Sequence, residues 1–265
     1  MDVSSTRPPE KPAQFNFATD VFDGWAQRRP NDVALWWVDA ATGAERRFTF
    51  QELARTSRQA ANLFRSGGVG RGDRVLLLLP RVPQWWVAML GLTRLGAVPV
   101  PATPMLTARD VSYRLEAAGV RAVVTSADNA SKVEGFDGTR WLIGEGLPGW
   151  TDFDAALAGA DARFAAEPTA ADDPALLYFT SATTGEPKMV LHSQASYGLA
   201  HRVTGGLWLD LRPGDVHWNL ADPGWAKAAW SSFFGPWHHG ACVFALDTSG
   251  RFAPVRTLEA LAQYP

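Results

Sequence analysis

One cysteine, Cys242, is present in 265 residues, so no disulfide can form within the chain and the fold must rest on its core. A reducing compartment, the cytoplasm, is the location this leads one to expect. Cys242 sits in the apolar run 241–246, which predicts a buried, inert thiol rather than a nucleophile. Neither charge is in surplus. A net charge of -2 and a pI of about 6.2 argue against the basic footprint of a protein that binds nucleic acid or an anionic membrane. No apolar run reaches the roughly 20 residues a membrane helix needs. The first residues, with Asp2, Glu10 and several prolines, lack the basic-then-apolar pattern of a secretory signal. No repeat period is visible. What is present, 46% hydrophobic and 20% charged residues, suits a globular chain with material for a large core or two domains.

Residues 1–15, rich in Pro, Ser and Thr, are expected to form a poorly ordered tail. Residues 16–150 then read as a first α/β subdomain. Thr19 or Asp20 is placed to cap a helix, and residues 33–38 and 46–50 flank the turn Ala41-Thr42-Gly43 as a hairpin. Leu53, Ala60, Ala61 and Phe64 share one helical face. Continuous apolar strands follow at 74–79, 97–101, 120–125 and 141–143, with helices after Pro83 and Thr107 between them. Strands of that kind are buried on both faces, and their alternation with helices predicts a doubly wound α/β sheet. Residues 151–174, rich in Ala, Asp and Gly, read as a crossing segment. Residues 175–265 read as a second, incomplete α/β subdomain.

Residues 176–192 carry the clearest chemistry. Leu176-Leu177-Tyr178-Phe179 enters as an apolar strand, and Met189-Val190-Leu191 leaves as another. Between them stand Thr180, Ser181, Ala182, Thr183, Thr184, Gly185, Glu186, Pro187 and Lys188. Hydroxyls, exposed N–H groups and one ammonium suit a phosphate, and Pro187 stiffens the loop. A Walker A loop is excluded, because Glu186 and Pro187 separate Gly185 from Lys188 and a strand follows. On spacing alone, a polar hairpin loop is an equally good reading. The stretch resembles the phosphate-binding signature of the adenylate-forming enzymes, Tyr-Thr-Ser-Gly-Thr-Thr-Gly-x-Pro-Lys. Nine consecutive positions align from Thr180 to Lys188 with one departure. Ala182 stands where that family has glycine, and its Cβ would strain a loop that needs positive φ there.

A second constellation runs from Ala221 through Asp222, Pro223, Gly224, Trp225, Ala226, Lys227, Ala228 and Ala229 to Trp230. A lysine among indoles suits a carboxylate with an apolar tail. The same residues also fit a lysine snorkelling at the rim of a core helix. Asp-x-Gly-Trp about forty residues after the loop is similar to acyl-CoA synthetases of the medium-chain branch, which implies Trp225, Ala226, Lys227 and Trp230 as acyl-pocket residues. The resemblance implies the layered αβα sheets of the large N-terminal adenylate-forming domain, truncated. It also implies ATP, Mg²⁺ and CoA as cofactor and co-substrates, and a small carboxylic acid as substrate. Intact members run to roughly twice this length. Their metal-binding acid, hinge and catalytic lysine lie beyond the position of Pro265, so no catalytic residue is identifiable in this half. Two other readings remain: a silent ATP-binding or regulatory fragment, and a structural or interaction domain. His238-His239 lacks a third placed ligand for a metal, and Trp36-Trp37 and Trp85-Trp86 read as core and rim aromatics.

Overall fold

Asn16, rather than Thr19 or Asp20, caps the first helical segment. Its side-chain oxygen accepts from the Ala18 N–H at 3.0 Å, and the Asp20 carboxylate accepts from the Asn16 N–H at 2.8 Å. The π-helical turn Phe17–Phe22 continues into helix α1 (Asp23–Arg28). This computed structural model describes residues 10–144, 146–181, 185–248 and 254–264. Strand β1 (Val33–Asp39) turns at Gly43, whose φ of 72° suits a residue without a Cβ, and returns as β2 (Glu45–Thr49). Helix α2 (Phe50–Ser66) starts at a capping box. Glu52 N–H donates to Thr49 Oγ1 at 3.1 Å and Thr49 N–H donates to Glu52 Oε2 at 2.8 Å. Its buried face carries Leu53, Ala60, Ala61 and Phe64, as the spacing predicts.

The doubly wound part follows as β3 (Arg74–Leu78), α3 (Pro83–Leu95), β4 (Val98–Ala102), α4 (Ala108–Ala117), β5 (Ala122–Ser126), β6 (Thr139–Ile143) and the short β7 (Thr151–Asp152). All these strands run parallel, in the order β4-β3-β5-β6-β7. The apolar runs are continuous because both faces are covered. Val75 and Leu77 pack toward α2 and α3, whereas Leu76 and Leu78 pack with Val111 of α4. One charge is buried among them. Arg94 of α3 makes a two-pronged pair with Asp23, both contacts at 2.7 Å, and its Nε donates to Ser57 Oγ at 3.2 Å.

After helix α5 (Phe153–Gly159), residues 160–173 cross the surface and are held at both ends. Asn62 Nδ2 donates to the Asp161 and Arg163 carbonyls, and Phe15 N–H donates to the Thr169 carbonyl. Lys11 pairs with Asp172, and Phe15 is 6% exposed. Of the segment expected to be poorly ordered, residues 10–15 are therefore packed, and residues 1–9 lie outside the described residues.

The chain continues as β8 (Pro174–Thr180), β9 (Lys188–Ser193), α6 (His201–Leu207), β10 (Val216–Trp218), α7 (Ala226–Ala229), α8 (Gly235–His238), β11 (Cys242–Asp247) and α9 (Pro254–Gln263). β8 and β9 form an antiparallel hairpin, and Leu177 of β8 enters the core on the α4 side. β11 pairs in parallel with both β10 and β1, giving a sheet ordered β10-β11-β1-β2. The sheets therefore do not follow a division of the chain at 151–174, because the first hairpin completes a sheet begun by the last strands. Cys242 is buried, and burial pushes its thiol up to about 12. Among the described residues, no helix is long and apolar enough to cross a membrane.

Candidate functional site

Thr180 ends β8 directly opposite Lys188, which begins β9, so the hairpin register brings the first hydroxyl and the ammonium to one mouth. Thr180, Ser181, Gly185, Glu186 and Lys188 are exposed there. Gly185 has φ 87°, and a Cβ added to it would meet nothing within 4 Å. Ala182, Thr183 and Thr184 lie outside the described residues, and with them the expected strain at Ala182. Helix α4 backs the loop. Tyr113 Oη donates to the Pro187 carbonyl at 3.1 Å, and Arg109 stands 4.0 Å from Glu186. The Arg114 guanidinium lies 5.1 Å over the Phe179 ring.

The Asp-x-Gly-Trp turn is seated on the carboxyl ends of β3 and β4, the edge where parallel sheets collect ligands. Gly224 lies so close to β4 that a Cβ would sit 2.1 Å from the Thr103 nitrogen. Asp222 Oδ1 accepts from the Gly224 N–H at 2.9 Å. Burial raises the Asp222 carboxyl above its ordinary value, against the pull of that hydrogen bond and of nearby Arg81. The Arg81 guanidinium reaches across from the end of β3 and donates to the Leu220 carbonyl. Asn219 Nδ2 donates to the Lys227 carbonyl at 3.2 Å. The turn thus delivers a helical run formed as α7, a π-helical segment (Trp230–Phe234) and α8.

Lys227 and Trp225 face solvent, with Trp225 60% exposed; Ala226 is half-buried at the start of α7. Trp230 is half-buried, and its Nε1–H donates to Thr204 Oγ1 at 2.7 Å. The two candidate groups are joined through residues 192–204. His192, on the strand leaving the loop, packs its ring at a tilt against Tyr197 with centroids 4.5 Å apart, and Tyr197 Oη donates to the Ala226 carbonyl at 2.6 Å. His201 packs edge-on against Tyr197 at 4.3 Å. Burial pulls His201 down to about 4, assisted by His192, so its imidazole is neutral near pH 7. Arg81, Tyr113, Tyr197, His201 and Thr204 all escape the sequence reading. Each lies dozens of residues, or several turns, from the motif it braces, and no spacing rule connects them. His238 and His239 hydrogen-bond separate carbonyls, those of Gly198 and Arg202, and form no metal cluster among the described residues. Trp85 and Trp86 are 0% and 2% exposed, core aromatics as expected.

Comparison with known proteins bears on the family of the chain. Residues 22–265 match the family described as AMP-binding enzyme. The chain is 40% identical over 267 aligned positions to human acyl-coenzyme A synthetase ACSM3, mitochondrial, covering 96% of this chain and 45% of that protein. It is also 40% identical to mouse acyl-coenzyme A synthetase ACSM5, mitochondrial, covering 96% of this chain and 46% of that protein. The crystal structure of Brucella canis acyl-CoA synthetase superposes with a TM-score of 0.86 at 26% identity, covering 99% of this chain and 49% of that one. The chain spans about half the length of the curated relatives it matches. Both mammalian relatives are mitochondrial by name, which overturns the expectation of a cytoplasmic location. A lone buried thiol is compatible with a reducing compartment and cannot tell one compartment from another.

Proposed function

Because the chain belongs to the AMP-binding enzyme family, we propose that it supplies the phosphate-binding hairpin and the acid-binding helix of an acyl-coenzyme A synthetase. In this reading a carboxylate oxygen attacks the α-phosphorus of ATP, giving acyl-adenylate and pyrophosphate. The CoA thiol then attacks the acyl carbonyl carbon, loses its proton, and AMP leaves. The work of the protein is alignment and charge neutralisation. Thr180, Ser181, Thr183, Thr184 and Lys188 hold the β- and γ-phosphates, with Ala182, Gly185, Glu186 and Pro187 shaping the loop. Trp225, Ala226 and Trp230 take the acyl chain, and Lys227 attracts the carboxylate. Mg²⁺ would offset triphosphate charge. Among the described residues no three acidic, histidine or cysteine side chains cluster to ligate it, so no ligand in this chain is assigned to it.

The observation that carries the reading is the junction of the two motifs: the strand leaving the hairpin is braced, through His192 and Tyr197, against the carbonyl of Ala226 at the head of α7. Calorimetry with ATP and with AMP tests it. Lys188→Ala should weaken ATP at least tenfold, the scale of one charge-assisted hydrogen bond, and leave AMP almost unaffected. Equal ATP affinity in the two proteins would remove the phosphate assignment.

A further inference from the structure

Thr204 occupies an unusually constrained place. A Cβ on the next residue, Gly205, would lie 2.7 Å from the Gly235 carbonyl and 2.8 Å from His239 Cδ2, so α6 is seated tightly on the segment that carries Trp230. The same His239 ring meets the Arg202 carbonyl through Nε2 at 2.8 Å. The Thr204 side chain has little freedom to drift.

Its hydroxyl has three partners. The Trp230 indole N–H can only donate, so Thr204 Oγ1 accepts from it at 2.7 Å. His201 Nδ1 lies 3.0 Å from Oγ1 and the His201 carbonyl 3.3 Å. In either tautomer of His201 the hydroxyl proton has an acceptor, so the acceptor lobe toward Trp230 stays available. The His201 ring also stands 6.1 Å from the Trp230 ring. The indole is therefore held by its edge and flanked by a ring, while Trp225 is 60% exposed.

Resting on the acyl-pocket reading above, we infer that Thr204 is a specificity-determining residue that touches no substrate: its hydroxyl holds the Trp230 indole in one rotamer, and that indole closes the far end of the acid site. The substrate class follows. The acid is one whose apolar chain ends against a fixed indole, and longer chains are excluded by a side chain that cannot swing aside. Removing the hydroxyl leaves the indole in place chemically and frees it to turn, because a tryptophan without its hydrogen bond loses the interaction that selected its rotamer.

The test is direct binding of unbranched carboxylates, butanoate, hexanoate and octanoate, to the 265-residue chain by calorimetry. The proteins are the wild type, Thr204→Val, Thr204→Ser, Trp230→Ala and Lys227→Ala. Thr204→Val should raise the octanoate-to-butanoate affinity ratio about fivefold, the worth of one net hydrogen bond. Thr204→Ser, which keeps the hydroxyl, should restore the wild-type ratio. Trp230→Ala should move the ratio further in the same direction, and Lys227→Ala should lower all three acids together. An unchanged ratio in Thr204→Val with a shifted ratio in Trp230→Ala would overturn the role of Thr204 and leave the pocket standing. An unchanged ratio in Trp230→Ala, or no binding of any acid by the wild type, would overturn both.

Discussion

Arg94 has a side chain 2% exposed, and its charge is matched by one carboxylate, that of Asp23, which is 20% exposed. Both prongs of the pair are 2.7 Å long, and Arg58 stands 3.7 Å from the same carboxylate. Removing one partner of such a pair costs more than the pair is worth, because the other charge stays behind unpaired. Asp23→Asn should therefore destabilise the chain by about 3 kcal/mol. That corresponds to a melting temperature lowered by roughly 6–12 °C, readable by calorimetry; a melt within a degree of wild type would show that the guanidinium finds other partners.

Two histidines make the fold sensitive to acid. Burial pulls His201 and His238 each down to about 4, whereas the unfolded chain titrates them near 6.5. The unfolded state thus binds more protons between those values. The stability gained from keeping the rings neutral is complete above about pH 6.5 and is lost as the pH falls toward 4. Urea midpoints should drop from about pH 7.5 to about pH 5. The carboxyls of Asp154 and Asp222 are shifted upward by partial desolvation and act with the opposite sign. Identical midpoints at the two values would mean that the histidines are not held neutral.

At the scale of elements, the turn 221–225 is the joint between the parallel sheet and the helical run that follows. It is positioned by contact with β4 rather than by its own hydrogen bonds alone, since Gly224 leaves no room for a methyl group beside the Thr103 nitrogen. Gly224→Ala should push the turn off β4. It should cost about 2 kcal/mol, the scale of an overpacked backbone contact, and should weaken carboxylate binding while ATP binding at the β8–β9 hairpin is retained. A thermal melt and the two titrations decide this. Wild-type values in all three would show that the turn yields without consequence.

At the scale of the molecule, the described chain holds an exposed hairpin mouth and a helix whose Lys227 and Trp225 open to solvent, so nothing described here closes over a reacting pair. Catalysis of acyl transfer depends on excluding water and on several positioned charges acting together. The 265-residue chain by itself should accordingly form no measurable acyl-CoA from ATP, CoA and a carboxylate. Steady thioester formation by the purified chain, followed at the thiol, would show that this half is catalytically sufficient.

Local order was legible from the residues because its causes are local. Capping pairs such as Thr107 with Asp110, the αL glycine at 96 after α3, and the apolar runs 75–78 and 122–124 within β3 and β5 each state their structure within a few positions. The hydroxyl-rich loop and the Asp-x-Gly-Trp turn could be found for the same reason, since their chemistry is contiguous. Long-range pairing decided the rest. Nothing in the sequence says that β1 lies beside β11, that Arg81 reaches the Leu220 carbonyl, or that Thr204 meets the Trp230 indole. Those contacts depend on how whole layers stack, and stacking is set by the sum of many small apolar burials rather than by any one spacing. The sequence by itself therefore determined the contiguous motifs and the order of the elements, and the tertiary structure alone decided which other residues hold those motifs still.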